Sequence, residues 1–327
     1  MSNFTHITPA NFEAEALKLF HWQRKHNAVY GKFCQLLGRD SMDIRRIDQI
    51  PFLPVELFKG HRVVCGNWTP EITFSSSTTT GGTPSLHHVQ SKAHYESVYV
   101  QGFEQQYGAI KDWTVLALLP SYMERSGSSL VMMAQGMIER SRDMRSGFYL
   151  YNHGELLERL RELGTEKKPT LLLGVTFALL DFADFLGDQP LNFPELRVME
   201  TGGMKGRKKE MIRAEVHAYL RSAFPASAID SEYGMTELMS QAYMKDSGVF
   251  VPPDWMRVYT RDIADPLSIP KQNGSRGALN VIDLANIKSC AFLALADQGQ
   301  VFENGTFEVY GRLDHSELRG CNLMITL

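Results

Sequence analysis

The chain is short of cysteine, of long apolar runs and of positive charge, and each shortage excludes something. Four cysteines, at positions 34, 65, 290 and 321, are spread over 327 residues without a Cys-x-x-Cys pair. That spacing suits neither a structural zinc site nor a disulfide framework, and it points to a reducing cytoplasm. No stretch reaches the roughly 18 apolar residues that cross a bilayer. The first residues, Met1-Ser-Asn-Phe-Thr-His6, lack the basic and apolar blocks of a signal peptide. A formal net charge of −3 lacks the basic field that nucleic acid demands. The Walker pattern Gly-x-x-x-x-Gly-Lys-Ser/Thr does not occur. What is present is a 43% hydrophobic chain, enough to bury the core of one big domain or two ordinary ones.

The periodicities describe an α/β protein. Short aliphatic runs at Thr114–Pro120, Thr170–Val175 and Leu196–Met199 predict strands buried on both faces. Helical spacing follows over Ser129–Glu139, Thr176–Leu186 and Gly206–Phe224. In the last of these, Met211, Ile212, Val216 and Leu220 form the apolar face, and Lys208, Lys209 and Arg213 predict a solvated one. Thr8-Pro9 predicts the cap and first turn of an amphipathic helix that buries Phe12, Ala16, Leu19 and Phe20. Residues 85–107 predict a further helix, with His87 and His88 exposed at its start. Residues 48–60 predict an ordered, proline-stiffened connector.

After residue 247 the pattern turns to strands and tight turns. Gly248–Val251, Trp255–Thr260, Ala278–Leu284 and Cys290–Ala296 predict strands, and Asn304-Gly305 predicts a hairpin. The division is thus an α/β portion, 1–247, and a β-rich portion, 248–327, of one continuous domain. No internal repeat or low-complexity tail occurs.

Chemistry concentrates in a few loops. Phe74-Ser-Ser-Ser-Thr-Thr-Thr-Gly-Gly-Thr-Pro84 is a run of hydroxyls and glycines that no apolar core wants. Its hydroxyls can donate to phosphate oxygens, and Gly81 and Gly82 allow backbone N–H groups to turn around an anion. A plain solvated loop has the same composition. Tyr233-Gly-Met-Thr-Glu-Leu238 and Glu200-Thr-Gly-Gly203 each follow a predicted strand, where ligands of open α/β sheets sit. Asp297 stands in Ala294-Leu-Ala-Asp-Gln-Gly-Gln-Val301, whose Ala-Asp-Gln-Gly also suits a hairpin turn. Gly311-Arg-Leu-Asp314 comes last.

Four motifs in this order resemble the adenylate-forming superfamily of acyl- and aryl-CoA ligases. Leu119-Pro-Ser-Tyr-Met-Glu-Arg-Ser-Gly-Ser-Ser-Leu130, Glu200-Thr-Gly-Gly-Met-Lys-Gly-Arg207 and Arg319-Gly-Cys321 are similar to its acyl-protein synthetase (LuxE-type) branch. The resemblance covers about residues 10 to 325. It implies the large N-terminal domain of that fold, sheets flanked by helices plus a β-rich subdomain. The superfamily's small C-terminal domain is expected to be missing, because little chain follows Asp314.

The resemblance also implies roles. Ser76, Ser77, Thr79, Thr80 and Gly81 would wrap the β- and γ-phosphates of ATP, with Thr78 standing where the family pattern has glycine. Glu237 would bind Mg²⁺ and Thr236 the α-phosphate. Tyr233 would stack on adenine, with Gly202 and Gly203 letting backbone approach it. Asp297 would accept from the ribose hydroxyls and Arg312 would add a cationic fork beside them. Cys321 would take the acyl group as a thioester for delivery to an acyl reductase partner; Cys34, among apolar neighbours, is expected in the core. The implied activity is ATP-dependent activation of a carboxylic acid, a fatty acid in this branch. A phenylacetate-type CoA ligase and a degenerate nucleotide- or acyl-binding subunit are the alternatives.

Overall fold

The computed structural model describes residues 4–39, 43–76, 83–119, 127–202, 211–246, 248–265, 267–268 and 274–313. Two helices, α1 (Phe12–His26) and α2 (Ala28–Leu36), open the chain. Helix α1 starts at Phe12 with Asn11 as its cap, later than Thr8-Pro9 predicts, yet Phe12, Ala16, Leu19 and Phe20 are buried as expected. Cys34 is buried on α2. The connector holds a two-residue strand, β1 (Leu53–Pro54).

A hairpin of β2 (Ile72–Ser75) and β3 (Leu86–Val89) flanks the hydroxyl-rich run, and helix α3 (Lys92–Tyr107) follows. The predicted helix over 85–107 is therefore a strand and then a helix. Ser91 caps α3 by accepting from the His94 N–H, which sets the boundary.

The alternation that follows comprises β4 (Thr114–Leu118), α4 (Ser129–Arg140), β5 (Gly147–Tyr149), α5 (His153–Thr165), β6 (Thr170–Val175), α6 (Thr176–Leu186), β7 (Leu196–Thr201), α7 (Arg213–Ala223), β8 (Ala228–Tyr233) and β9 (Ala242–Lys245). Among the described residues these strands form a six-stranded sheet in the order β5-β4-β6-β7-β8-β9, parallel except for β9. Every residue of β4 and β6 is buried, which is why both read as unbroken aliphatic runs.

The β-rich part comprises β10 (Met256–Arg261), β11 (Arg276–Asp283), β12 (Phe292–Val301) and β13 (Phe307–Arg312). These four are antiparallel, and β1 adds in parallel to β12. Asn304 and Gly305 lie in the β12–β13 turn, as predicted. Gly248–Val251 is not a strand; Phe250 and Val251 make isolated bridges to Phe307 and Tyr243. The buried Gln23 of α1 fastens the N-terminal helices to this part. Its side-chain amide donates to the carbonyls of Asn286 and Ile287, both at 2.9 Å, and accepts from the Ala291 N–H at 2.9 Å. Among the described residues, no helix is long and apolar enough to cross a membrane.

Candidate active site

The two sheets meet where β8 ends. Tyr233 is its last residue, and its hydroxyl donates to Asp297 Oδ2 at 2.7 Å. Asp297 lies within β12, directly opposite Arg312 on β13, and Arg312 Nε stands 3.5 Å from Asp297 Oδ1. The turn reading of Ala-Asp-Gln-Gly is overturned, since the chain reverses at Asn304-Gly305 instead. The Tyr233 ring packs on Phe250 and Phe307, with centroids 5.6 and 5.5 Å away. Burial, reinforced by the Asp297 charge, pushes the phenol well above its ordinary range and keeps it a donor. Tyr233 and Asp297 are buried, while the Arg312 side chain is 75% exposed. A buried acceptor with an open cation beside it forms a polar rim for a ligand bearing hydroxyls or negative charge.

The next turn of chain carries Thr236 and Glu237. Glu237 is buried, and burial pushes its carboxyl above the ordinary range against a hydrogen bond from Ser85. Ser85 also closes the neck of the hydroxyl-rich run. Its N–H donates to Ser76 Oγ at 2.8 Å, and its carbonyl accepts from the Ser76 N–H at 3.1 Å. Ser76 thus spends acceptor capacity on the neck and keeps its hydroxyl proton as a donor.

His87 is not exposed. It lies buried on β3, with Nδ1 2.8 Å from the Thr236 carbonyl. Burial lowers its pKa to about 4, so the ring is neutral at pH 7 and serves as a strut. Asn286 completes the brace by donating to the Glu237 carbonyl at 2.9 Å.

The ends of β7 and β8 bring in two more glutamates. Glu200 accepts from the hydroxyls of Thr176 at 2.9 Å and Ser231 at 2.5 Å. Arg213 Nε stands 3.3 Å from it and His217 Nε2 at 3.8 Å. Arg213 was expected on a solvated face; it reaches inward because a buried carboxylate is there to pair, and it also donates to the Val309 carbonyl at 3.0 Å. Thr176 bonds the Gly202 carbonyl at 2.7 Å, and Gly202 has φ +71°, a left-handed turn that favours glycine. On the opposite face of the sheet, the Thr201 hydroxyl donates to Glu232.

Of the residues singled out from sequence, Ser76, Gly202, Tyr233, Thr236, Glu237, Asp297 and Arg312 are described. Tyr233, Asp297 and Arg312 touch in series. Glu237 sits on the same loop as Tyr233, and Ser85, which lowers its carboxyl against burial, bonds Ser76. Ser77, Thr78, Thr79, Thr80, Gly81, Gly203 and Cys321 lie outside the described residues. Sequence reasoning missed Ser85, Asn286, Glu232 and the inward turn of Arg213. Glu232 stands in β8 together with Asp230 and Ser231, so its charge did not single it out; the others are isolated polar residues with no pattern.

No protein-family model matches the chain, and no curated protein matches its sequence. Solved structures do. The amide bond synthetase McbA from Marinactinospora thermotolerans is 18% identical with a TM-score of 0.53, covering 88% of this chain and 59% of that one. The O-succinylbenzoate coenzyme A synthetase MenE from Bacillus subtilis, in complex with AMP, is 15% identical with a TM-score of 0.51, covering 73% and 49%. The long-chain-fatty-acid-CoA ligase FadD1 from Archaeoglobus fulgidus is 13% identical with a TM-score of 0.51, covering 77% and 53%. The chain spans about half to three-fifths of the length of these structures. Its fold is the N-terminal α/β fold of adenylate-forming enzymes.

Proposed function

We propose that the protein uses ATP to activate a carboxylic acid as its acyl adenylate. The observation that carries this reading is the Tyr233–Asp297–Arg312 chain, which joins three separate sequence motifs at the carboxyl edge of the parallel sheet. In the reaction, the acid's carboxylate oxygen forms a bond to the α-phosphorus of ATP, and the bond to pyrophosphate breaks. The protein's work is to position and to stabilise charge. Asp297 would accept from ribose hydroxyls, with its free oxygen towards Arg312. Thr236 would donate to the α-phosphate, and Tyr233 would border the adenine.

Residues 77–82 would cover the outer phosphates, on the neck that Ser76 and Ser85 close. Among the described residues no group of three or more His, Cys, Asp or Glu side chains is placed to hold a metal ion. Glu237 fits Mg²⁺ in a different manner, as one carboxylate for a cation held otherwise by substrate phosphates. Bound there, the cation would neutralise phosphate charge. The raised carboxyl of Glu237 suits this role, because a cation is what favours its ionised form.

The finer reading follows the acyl-protein synthetase resemblance. The Cys321 thiolate would attack the acyl carbon, form a thioester and release AMP. The acyl group would then pass to an acyl reductase in the cytoplasm.

Pyrophosphate release with a panel of acids tests the first step. Glu237→Gln and Asp297→Asn are expected to lower it by at least about 100-fold, the usual scale for losing a group that holds transition-state charge. Near-normal release in both variants would overturn the nucleotide site. Intact-protein mass spectrometry tests the second step. Cys321→Ala is expected to keep pyrophosphate release and lose a hydroxylamine-labile acyl adduct. An unchanged adduct would exclude Cys321 as acceptor, and product found only as a coenzyme A thioester would favour the CoA-ligase alternative.

A further inference from the structure

Beside the nucleotide site, on the face of the sheet that carries Glu232, lies a buried polar cluster that the activation chemistry does not use. Thr201 pairs with Glu232 across β7–β8, and Glu232 with Tyr243 across β8–β9, so the three side chains form one row. Tyr95 of α3 and Gln241, just before β9, complete the cluster, with Gln241 beside the Tyr95 hydroxyl. That hydroxyl also donates to the carbonyl of Ser129, the first residue of α4, at 3.1 Å. Gly234 ties the cluster to the Tyr233–Glu237 loop. A Cβ on Gly234 would stand 2.5 Å from Glu232 Oε1 and 3.4 Å from Gln241 Cγ.

Two atoms of this cluster are buried without a hydrogen-bond partner among the described residues: the Tyr243 hydroxyl and Gln241 Oε1. Both residues are more than nine-tenths buried, Gln241 being 6% exposed and Tyr243 2%. Buried polar atoms are almost always paired, so an orphaned hydroxyl and an orphaned carbonyl together call for a partner from outside. The carbonyl needs a donor, and the hydroxyl can serve either way. An alcohol offers both functions, a donor for Gln241 and an acceptor for Tyr243. An alkyl chain satisfies neither.

We propose that the acid this protein activates carries a hydroxyl group, bound by Tyr243 and Gln241 beside Glu232. This rests on the acid-activation reading and narrows it, away from plain fatty acids. The Glu232 carboxyl, raised to about 7 by burial, stays partly protonated and can donate as well as accept, so it tolerates a neutral ligand. A trapped water could satisfy the same two atoms, and the test separates the two.

The experiment compares plain alkanoic and benzoic acids with their hydroxylated counterparts, hydroxyl position varied, on the full chain and on Tyr243→Phe. Pyrophosphate release gives kcat/KM, and thermal shift with AMP present gives binding independent of turnover. Tyr243→Phe keeps the ring and removes a hydroxyl that has no partner among the described residues, so it is expected to fold. The proposal expects at least one hydroxylated acid to be preferred over its plain counterpart by about tenfold or more, and the preference to collapse in Tyr243→Phe. Equal kcat/KM for both classes, or a preference that survives the substitution, would mean that the cluster holds water, and would overturn the proposal. If hydroxylated acids shift the wild-type melting point and not that of Tyr243→Phe, yet no acid releases pyrophosphate, the site stands and the activation reading fails. No response in either assay would overturn both.

Discussion

Glu200 and Glu232 are the last residues but one of neighbouring strands, lie on opposite faces of one sheet and are both buried, yet their carboxyls shift in opposite directions. Burial alone would raise both. Around Glu200, the contact with His217, the charge of Arg213 and two hydroxyls outweigh burial and hold its carboxyl below the ordinary range. Around Glu232, among the described residues, the Thr201 hydroxyl bond is the one lowering influence, and the Glu200 charge adds to the effect of burial, so its carboxyl rises to about 7. Depth is shared; partners decide the ionisation. The face with a cation is a finished structural network. The other face is left incomplete, next to the loop from Tyr233 to Glu237.

The largest expected effect comes from making the two faces alike. Arg213→Met would leave Glu200 as a buried carboxylate without its cation, and would also cut the tie to the Val309 carbonyl. The expected loss of stability is about 3 kcal/mol, read by urea unfolding. A loss below about 1 kcal/mol would mean that His217 and the hydroxyls suffice, and the contrast between the faces would weaken.

Next comes the pH dependence, where the two glutamates have opposite signs. The raised Glu232 holds its proton in the folded state over pH values where the unfolded chain releases it. Its stabilisation is therefore full below the ordinary value of 4.5 and is lost as pH rises through about 7. Glu200, held low, stabilises above 4.5 and loses that contribution as pH falls. Glu232→Gln is expected to remove a stability decline on the order of 3 kcal/mol between pH 4.5 and 7. Unfolding curves at a series of pH values check this; identical pH profiles for wild type and variant would show Glu232 to be ordinary.

The smallest effect sharpens the comparison. Thr201→Val keeps the shape and removes the hydroxyl that bonds Glu232, at a cost of about 1 kcal/mol. Because that bond lowers the carboxyl's pKa, the decline in stability should move to higher pH. A shift in the other direction would refute the pairing.

Legibility in the sequence followed the range of the interactions. Thr170–Val175 and Thr176–Leu186 match their predicted bounds, since an unbroken aliphatic run and a helical period are local signals. Leu86–Val89 reads as part of a helix, because its strand exists only by pairing with Ile72–Ser75 across the hydroxyl-rich run. Helix α1 began late for a similar reason: the Asn11 side chain accepts from the Thr8 N–H, which fixes a turn ahead of the helix. Of the site, the motif residues were legible as short words. Their supports, Ser85, His87 and Asn286, were not, because a single polar residue declares no partner.

By itself the sequence determined the class of fold and the alternation of strand and helix. Those are set by composition and by periods of two to four residues, which act before distant segments meet. Only the tertiary structure decided that Asp297 is a strand residue bound by Tyr233, that His87 is buried and neutral, and that Arg213 turns inward. It alone distinguished a glutamate paired with a cation from one bonded by a hydroxyl on the same sheet. The physical reason is that ionisation and hydrogen-bond satisfaction depend on what lies within a few ångströms, and here those neighbours come from strands and helices remote in the chain.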